Sequence, residues 1–256
     1  MVGLQIEISL GLSNNNAIEY FLQERARYEN PVLLGSHFTR IPTDATARFT
    51  EWHNSLVHED QLRLQQFREV TLAHPTWFMD RSVWESVGGY KEEYPGCPED
   101  MIFFYQWLEQ GGAIGKVLLP LTVYRYHPTA TSFSIHRNRL LQEKVKHLEA
   151  MVLHQVDQFT IWGAGRDGKK FFMTLSPASQ AKVAAFCDVS EKKIGTIYVN
   201  HSTKRKIPII HFSEAKPLVI VCVALNRSLG QGPVSEFERN LQSMNWKEGR
   251  DYWHVV

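Results

Sequence analysis

The sequence has little cysteine, almost no net charge and no long apolar run. Only Cys97, Cys187 and Cys222 occur in 256 residues, far apart and without a Cys-x-x-Cys pair. That pattern argues against a disulfide framework and a cysteine-rich zinc site, and it predicts buried, reduced thiols. Lys and Arg total 28 against 27 Asp and Glu, a formal charge of +1. A near-neutral chain argues against a broad nucleic-acid surface and against a polybasic membrane clamp. No apolar run approaches the roughly 18 residues of a membrane span. Residues 1–12 carry no basic leader and are interrupted by Glu7, which argues against a signal peptide. The expectation is a soluble, cytoplasmic protein.

What is present is ordinary globular material, 43% hydrophobic and 21% charged. At roughly 100–200 residues per domain, the length suits one large or two small domains. Helical and strand-like stretches alternate throughout, so the predicted class is α/β. Helices are expected over 17–28, 45–57, 59–68, 81–87 and 99–107, and strands over 31–39, 76–79 and 115–127, the last broken at Pro120. Leu141, Val145, Leu148 and Val152 recur at helical spacing on a charged background, which predicts a connecting helix. Beyond it, strands are expected at 159–162, 182–187, 218–223 and 252–256, with helices at 166–175 and 235–244. The domains read as 1–136, a connector at 137–156, and a small Rossmann-like βαβ domain at 157–256.

Glu99 and Asp100 form the first chemically informative feature. Adjacent carboxylates at a helix start face free backbone N–H groups, and the positive helix end keeps them ionised. An ionised carboxylate facing a loop suits a general base acting on a hydroxyl. Taken alone, the pair reads as a helix cap, Gly88-Gly89 as a turn and His127 as a polar loop residue.

Their order is more specific. Trp77 to Gly88-Gly89-Tyr90, then Pro98-Glu99-Asp100, then Tyr124-Arg125-Tyr126-His127 resembles the second half of family-2 glycosyltransferases of the GT-A type. It is most similar to the β-1,3-N-acetylglucosaminyltransferase-like proteins. The likeness continues through Phe159-Thr160-Ile161-Trp162, Phe186-Cys187-Asp188 and Gly249-Arg250-Asp251-Tyr252, and so spans roughly residues 20–256.

The resemblance implies the acceptor part of a GT-A fold. It implies inverting transfer of a sugar from a nucleotide-sugar such as a UDP-sugar, with N-acetylglucosamine the sugar in the family's name, to a glycan or other hydroxyl acceptor. Asp100 would be the general base and Glu99 an orienting or acceptor-binding carboxylate. Arg125 would neutralise the leaving group, and His127 would be a ligand for a divalent cation, Mn²⁺ or Mg²⁺, at the diphosphate. Trp77, Tyr90, Tyr94 and Trp107 would offer sugar-stacking faces.

The family's nucleotide-binding half ends in Asp-x-Asp, and no Asp-x-Asp occurs here. An acceptor half on its own is expected to expose a sheet edge and an apolar face, and hence to self-associate. The alternative is a non-catalytic interaction protein built on the same elements.

A second feature, Gly163-Ala164-Gly165-Arg166-Asp167-Gly168, is a G-x-G-x-x-G between a predicted strand and a predicted helix. Such glycines permit a tight turn and bring a helix N-terminus to a phosphate; Asp188, closing the next strand, would hold a ribose. This reading is of a nucleotide-binding module, with a purely structural turn as the alternative. The basic clusters Lys192-Lys193 and Lys204-Arg205-Lys206 are expected to be solvated loop.

Overall fold

The computed structural model describes residues 14–91, 96–127, 135–201, 203–223 and 235–255, and it is mixed α/β. The chain divides into two compact units at Leu140. That division falls inside the helix expected to be a connector.

The first unit runs α1 (Asn14–Arg25), β1 (Val32–Ile41), α2 (Ala47–Ser55), α3 (Glu59–Leu64), β2 (Phe78–Met79), α4 (Arg81–Val87), α5 (Glu99–Glu109) and β3 (Ala113–Arg125). Its sheet has the order β2-β1-β3, with β1 antiparallel to β2 and parallel to β3. Both faces are covered. Ala17 and Phe21 of α1 pack on Val32, Leu34, Val117 and Leu121. The opposite cluster joins Leu33 and Ile114 to Phe103, Phe104, Trp107 and Leu108 of α5. The Arg25 guanidinium pairs with Asp80 at 2.6 Å, and Asp80 also accepts the Val32 N–H at 2.9 Å, fixing α1 at the start of β1. The expected bare sheet face is therefore filled by α1.

Pro120 does not break β3. The register passes from Ser36 opposite Val117 to His37 opposite Pro120, so Leu118 and Leu119 bulge out and stand exposed. β3 lies at the edge of this sheet. A bulge on an edge strand is where proline's missing N–H is tolerated.

The second unit takes up most of α6 (Arg137–Met151) and continues with β4 (Phe159–Trp162), α7 (Arg166–Thr174), α8 (Pro177–Lys182), β5 (Val183–Asp188), β6 (Ile197–Val199), β7 (Lys206–His211), β8 (Val219–Val221), α9 (Glu236–Ser243) and β9 (Tyr252–His254). α6 is more than a tether: Val145 and Leu148 are buried, and Glu149 accepts the Ser176 N–H at 2.8 Å.

The six-stranded sheet has the order β6-β7-β5-β4-β8-β9. All its pairings are parallel except β6 with β7. β4 lies at the point where the chain, having built outward through β5 and β7, returns to add β8 and β9 on the other side. Its buried run Phe159–Trp162 suits a parallel strand covered on both faces.

Two expectations change in this unit. Lys182 ends α8 rather than opening a strand, and the β6–β7 hairpin replaces a stretch read as loop. The three cysteines are free and buried. Among the described residues, no helix is long and apolar enough to cross a membrane.

Candidate functional site

In the first unit the acidic pair opens α5. Pro98 occupies the N-cap and makes no side-chain cap, so the carboxylates of Glu99 and Asp100 face the first helical turn. Asp100 Oδ1 accepts the Met101 N–H at 2.7 Å. Phe103 lies three and four positions further on, hence one turn along the same helix face.

Tyr90 meets that face: its ring approaches Phe103 edge-on at 5.4 Å. The Tyr90 hydroxyl is 2.6 Å from His74 Nε2. Burial first, then the charges of Asp100 and Glu99, push the Tyr90 phenol up to about 12. The hydroxyl therefore keeps its proton at neutral pH. Gly88 and Gly89 turn the chain out of α4 with φ of +84° and +79°, a left-handed region that disfavours other residues. A Cβ on Gly89 would stand 3.1 Å from the Trp84 ring, so the glycine also lets that indole lie against the turn.

The other aromatic candidates separate on burial. Trp77 donates its indole N–H to Leu72 O at 2.8 Å and tilts against Phe103 at 5.5 Å, so it packs the core beneath the corner. Trp107 is buried and donates to Ala113 O at 2.9 Å, which makes it core as well. Tyr94 lies outside the described residues. Arg125 and His127 belong to a different element: Arg125 ends β3 opposite Ile41, and His127 follows it, exposed.

The divalent-cation expectation finds a poor donor set. Among the described residues, no group of three His, Cys, Asp or Glu side chains comes together. An exposed imidazole is also a nitrogen donor, where Mg²⁺ prefers oxygen and Mn²⁺ suits carboxylate.

In the second unit the glycine turn borders a crevice of about 370 Å³ over the carboxyl ends of β4, β5 and β8. Each glycine has a different job. Gly163 takes φ +119°. Gly168 lets α7 settle onto β4, since a Cβ there would stand 1.8 Å from the Gly163 carbonyl oxygen. Gly165 is open, and a Cβ there would meet only Lys193 Nζ at 3.9 Å. The α7 N-terminus thus presents its free N–H groups beside a glycine that leaves space for a ligand.

Asp188 closes β5 beside this turn, with its carboxylate already engaged. Oδ2 accepts the Ala164 N–H at 2.9 Å and the Lys193 ammonium at 2.8 Å, and Oδ1 accepts the Ser190 N–H at 3.0 Å. Burial raises this carboxyl, but those three donors outweigh it and hold it below the usual carboxylate range. Asp188 therefore fixes the glycine turn, and the ribose-holding role expected of it must compete with these bonds. Lys193, read as solvated loop, lines the crevice together with Arg166. Arg205, from the other basic cluster, donates to the Gln180 and Val183 carbonyls and is structural.

Sequence reasoning missed His74, Trp84 and Lys193. His74 opens a 3₁₀ turn continued by Pro75, which resembles any other turn signal. Trp84 looks like a helix-packing residue until its exposure is known. Lys193 lies five residues from Asp188, within a charged loop.

No family model matches the chain, and no solved structure matches it.

Proposed function

We propose that the protein is a family-2 glycosyltransferase of the GT-A type, moving a sugar from a nucleotide-sugar to a hydroxyl acceptor with inversion. The observation that carries this reading is the carboxylate of Asp100. One oxygen is pinned by the Met101 N–H, while the other has no hydrogen bond from the described protein residues. The carboxylate stands at a positive helix end, close enough to Tyr90 for its charge to help raise that phenol.

In the proposed step it takes the acceptor hydroxyl proton as the acceptor oxygen attacks the anomeric carbon. The bond to the diphosphate breaks, and its electron pair leaves with the nucleotide. Glu99 orients the acceptor, and Arg125 is the candidate for meeting the leaving charge. No step is assigned to a cation, since the described donor set does not suit one. The test is release of nucleoside diphosphate from UDP-sugars in the presence of carbohydrate acceptors. NMR of the product reports whether the anomeric centre inverts.

A second reading rests on the crevice of the second unit. There a Rossmann-like module would bind the diphosphate of a nucleotide through the α7 N-terminus, Gly165 and Lys193. The three separate glycine roles support it. Calorimetry with UDP-sugars, NAD and acyl-CoA tests it, and silence towards all three removes it.

A further inference from the structure

A second cavity, of about 380 Å³, adjoins the glycine turn of the second unit. Gly163 and Gly165 line the first crevice, Ala164 between them lines the second, and Lys193 lines both. The two spaces differ in charge. Asp167, Asp188 and Glu236 stand among the residues around the first. The described residues around the second include Lys169, Lys192, Lys193 and His201, and no carboxylate.

Two of these cations are held in place. Asp188 fixes Lys193 Nζ at 2.8 Å. Lys169 Nζ stands over the Tyr198 ring, 5.6 Å from its centroid. Phe172 and Phe186 in turn grip that ring edge-on, at 5.6 Å and 5.2 Å. Ammonium groups positioned this way lose little freedom when an anion binds. A phosphate monoester suits such a space, since it is compact, carries about −2 charge at neutral pH and offers three acceptor oxygens.

Asp188 indicates which phosphate. A dinucleotide whose diphosphate lies on the glycine turn places a ribose at the end of the second strand, here β5. A free carboxylate at that point accepts the ribose 2′-hydroxyl, whereas a cation there meets a phosphate on the ribose. Asp188 is not free. Both of its oxygens accept protein donors, and one of those donors is Lys193. The loop that follows it supplies Lys192 and Lys193 to the basic cavity. A ribose at the end of β5 therefore finds an engaged carboxylate with ammonium groups beside it.

We infer that the basic cavity is a phosphate pocket, through which the second unit selects nucleotides that carry a phosphate on the ribose. The class is that of NADP, with its 2′-phosphate, or of coenzyme A, with its 3′-phosphate. This rests on the nucleotide reading of the crevice.

The test is calorimetry of the full chain with two matched pairs, each differing by one ribose phosphate: NADP against NAD, and coenzyme A against dephospho-coenzyme A. Millimolar ligand registers the weaker members. In at least one pair the phosphorylated member is expected to bind about tenfold tighter or more, and the responding pair tells a 2′- from a 3′-phosphate. Lys169 and Lys192 are exposed, so the double variant Lys169→Gln with Lys192→Gln should fold and should abolish the preference. Lys170→Gln with Lys204→Gln removes the same charge away from the cavity lining and should retain it.

Equal binding within both pairs overturns the phosphate pocket and leaves the crevice reading standing. A preference that the cavity variant keeps, or that both double variants lose equally, overturns the pocket as well. No binding of any of the four by a folded chain removes the pocket and the crevice reading together.

Discussion

Lys116 Nζ lies 3.2 Å from His53 Nδ1, while His53 Nε2 accepts the Ala73 N–H at 2.9 Å. An imidazole that accepts at Nε2 carries its proton on Nδ1, and that N–H faces the lysine. Lys116 is then an uncharged amine, accepting from Nδ1 and donating to the His53 carbonyl at 2.5 Å. Burial lowers Lys116 from 10.5 to about 7. Burial, with Lys116 beside it, lowers His53 from 6.5 to about 3. In both windows the unfolded chain binds a proton that the folded chain does not. Stability should therefore rise with pH from about 7 to 10.5, by up to about 1.4 kcal/mol per pH unit. It should fall as pH drops from 6.5 towards 3. Denaturant melts across pH check this. Lys116→Met should flatten the alkaline limb, and an unchanged slope would refute the neutral-lysine assignment.

Gly168 and Gly165 should respond oppositely to alanine. Gly168→Ala drives a Cβ to 1.8 Å from the Gly163 carbonyl oxygen and should cost at least about 2 kcal/mol. Gly165→Ala meets only Lys193 Nζ at 3.9 Å and should leave Tm nearly unchanged. If the crevice takes a nucleotide, that second variant should bind it more weakly. Thermal melts and calorimetry read the two effects separately.

Asp188→Ala should destabilise the protein by about 2 kcal/mol, because it strands the Ala164 and Ser190 N–H groups and the Lys193 ammonium. The sign with pH follows from its lowered carboxyl. Its contribution is present above the ordinary value of 3.8 and is lost as pH falls through the folded one. Asp188→Asn should accordingly flatten the acid limb of the melt profile.

Leu118 and Leu119 stand exposed on the bulge of the edge strand β3. Sedimentation velocity over a wide concentration range should show self-association, and Leu118→Lys with Leu119→Lys should reduce it. A monomer at every concentration would contradict this.

The elements that punctuation residues mark were legible in the sequence. Glu99-Asp100 marks the start of α5, and Gly163 to Gly168 marks the step from β4 into α7. Where local signals conflicted with pairing, they misled. Pro120, read as a break, sits inside a strand at an edge bulge. The basic run before Ile207 resembled loop, although Lys206 opens β7.

Partners far apart in the chain left no local trace. His53 and Lys116 are 63 residues apart, and His74 and Tyr90 are 16 apart, joined only once the turns fold. Asp188 was found by its place after a strand, but its three bonds to the glycine turn and the loop after β5 depend on geometry that spacing does not encode.

Asp100 carries the central claim. The most direct measurement is the rate of nucleoside diphosphate release from UDP-sugars with a carbohydrate acceptor, for the native chain and Asp100→Asn at matched folding. The transferase reading predicts measurable acceptor-dependent turnover that falls at least about a hundredfold in Asp100→Asn. Turnover that Asp100→Asn leaves intact, or none from a folded native chain with any UDP-sugar, would contradict it.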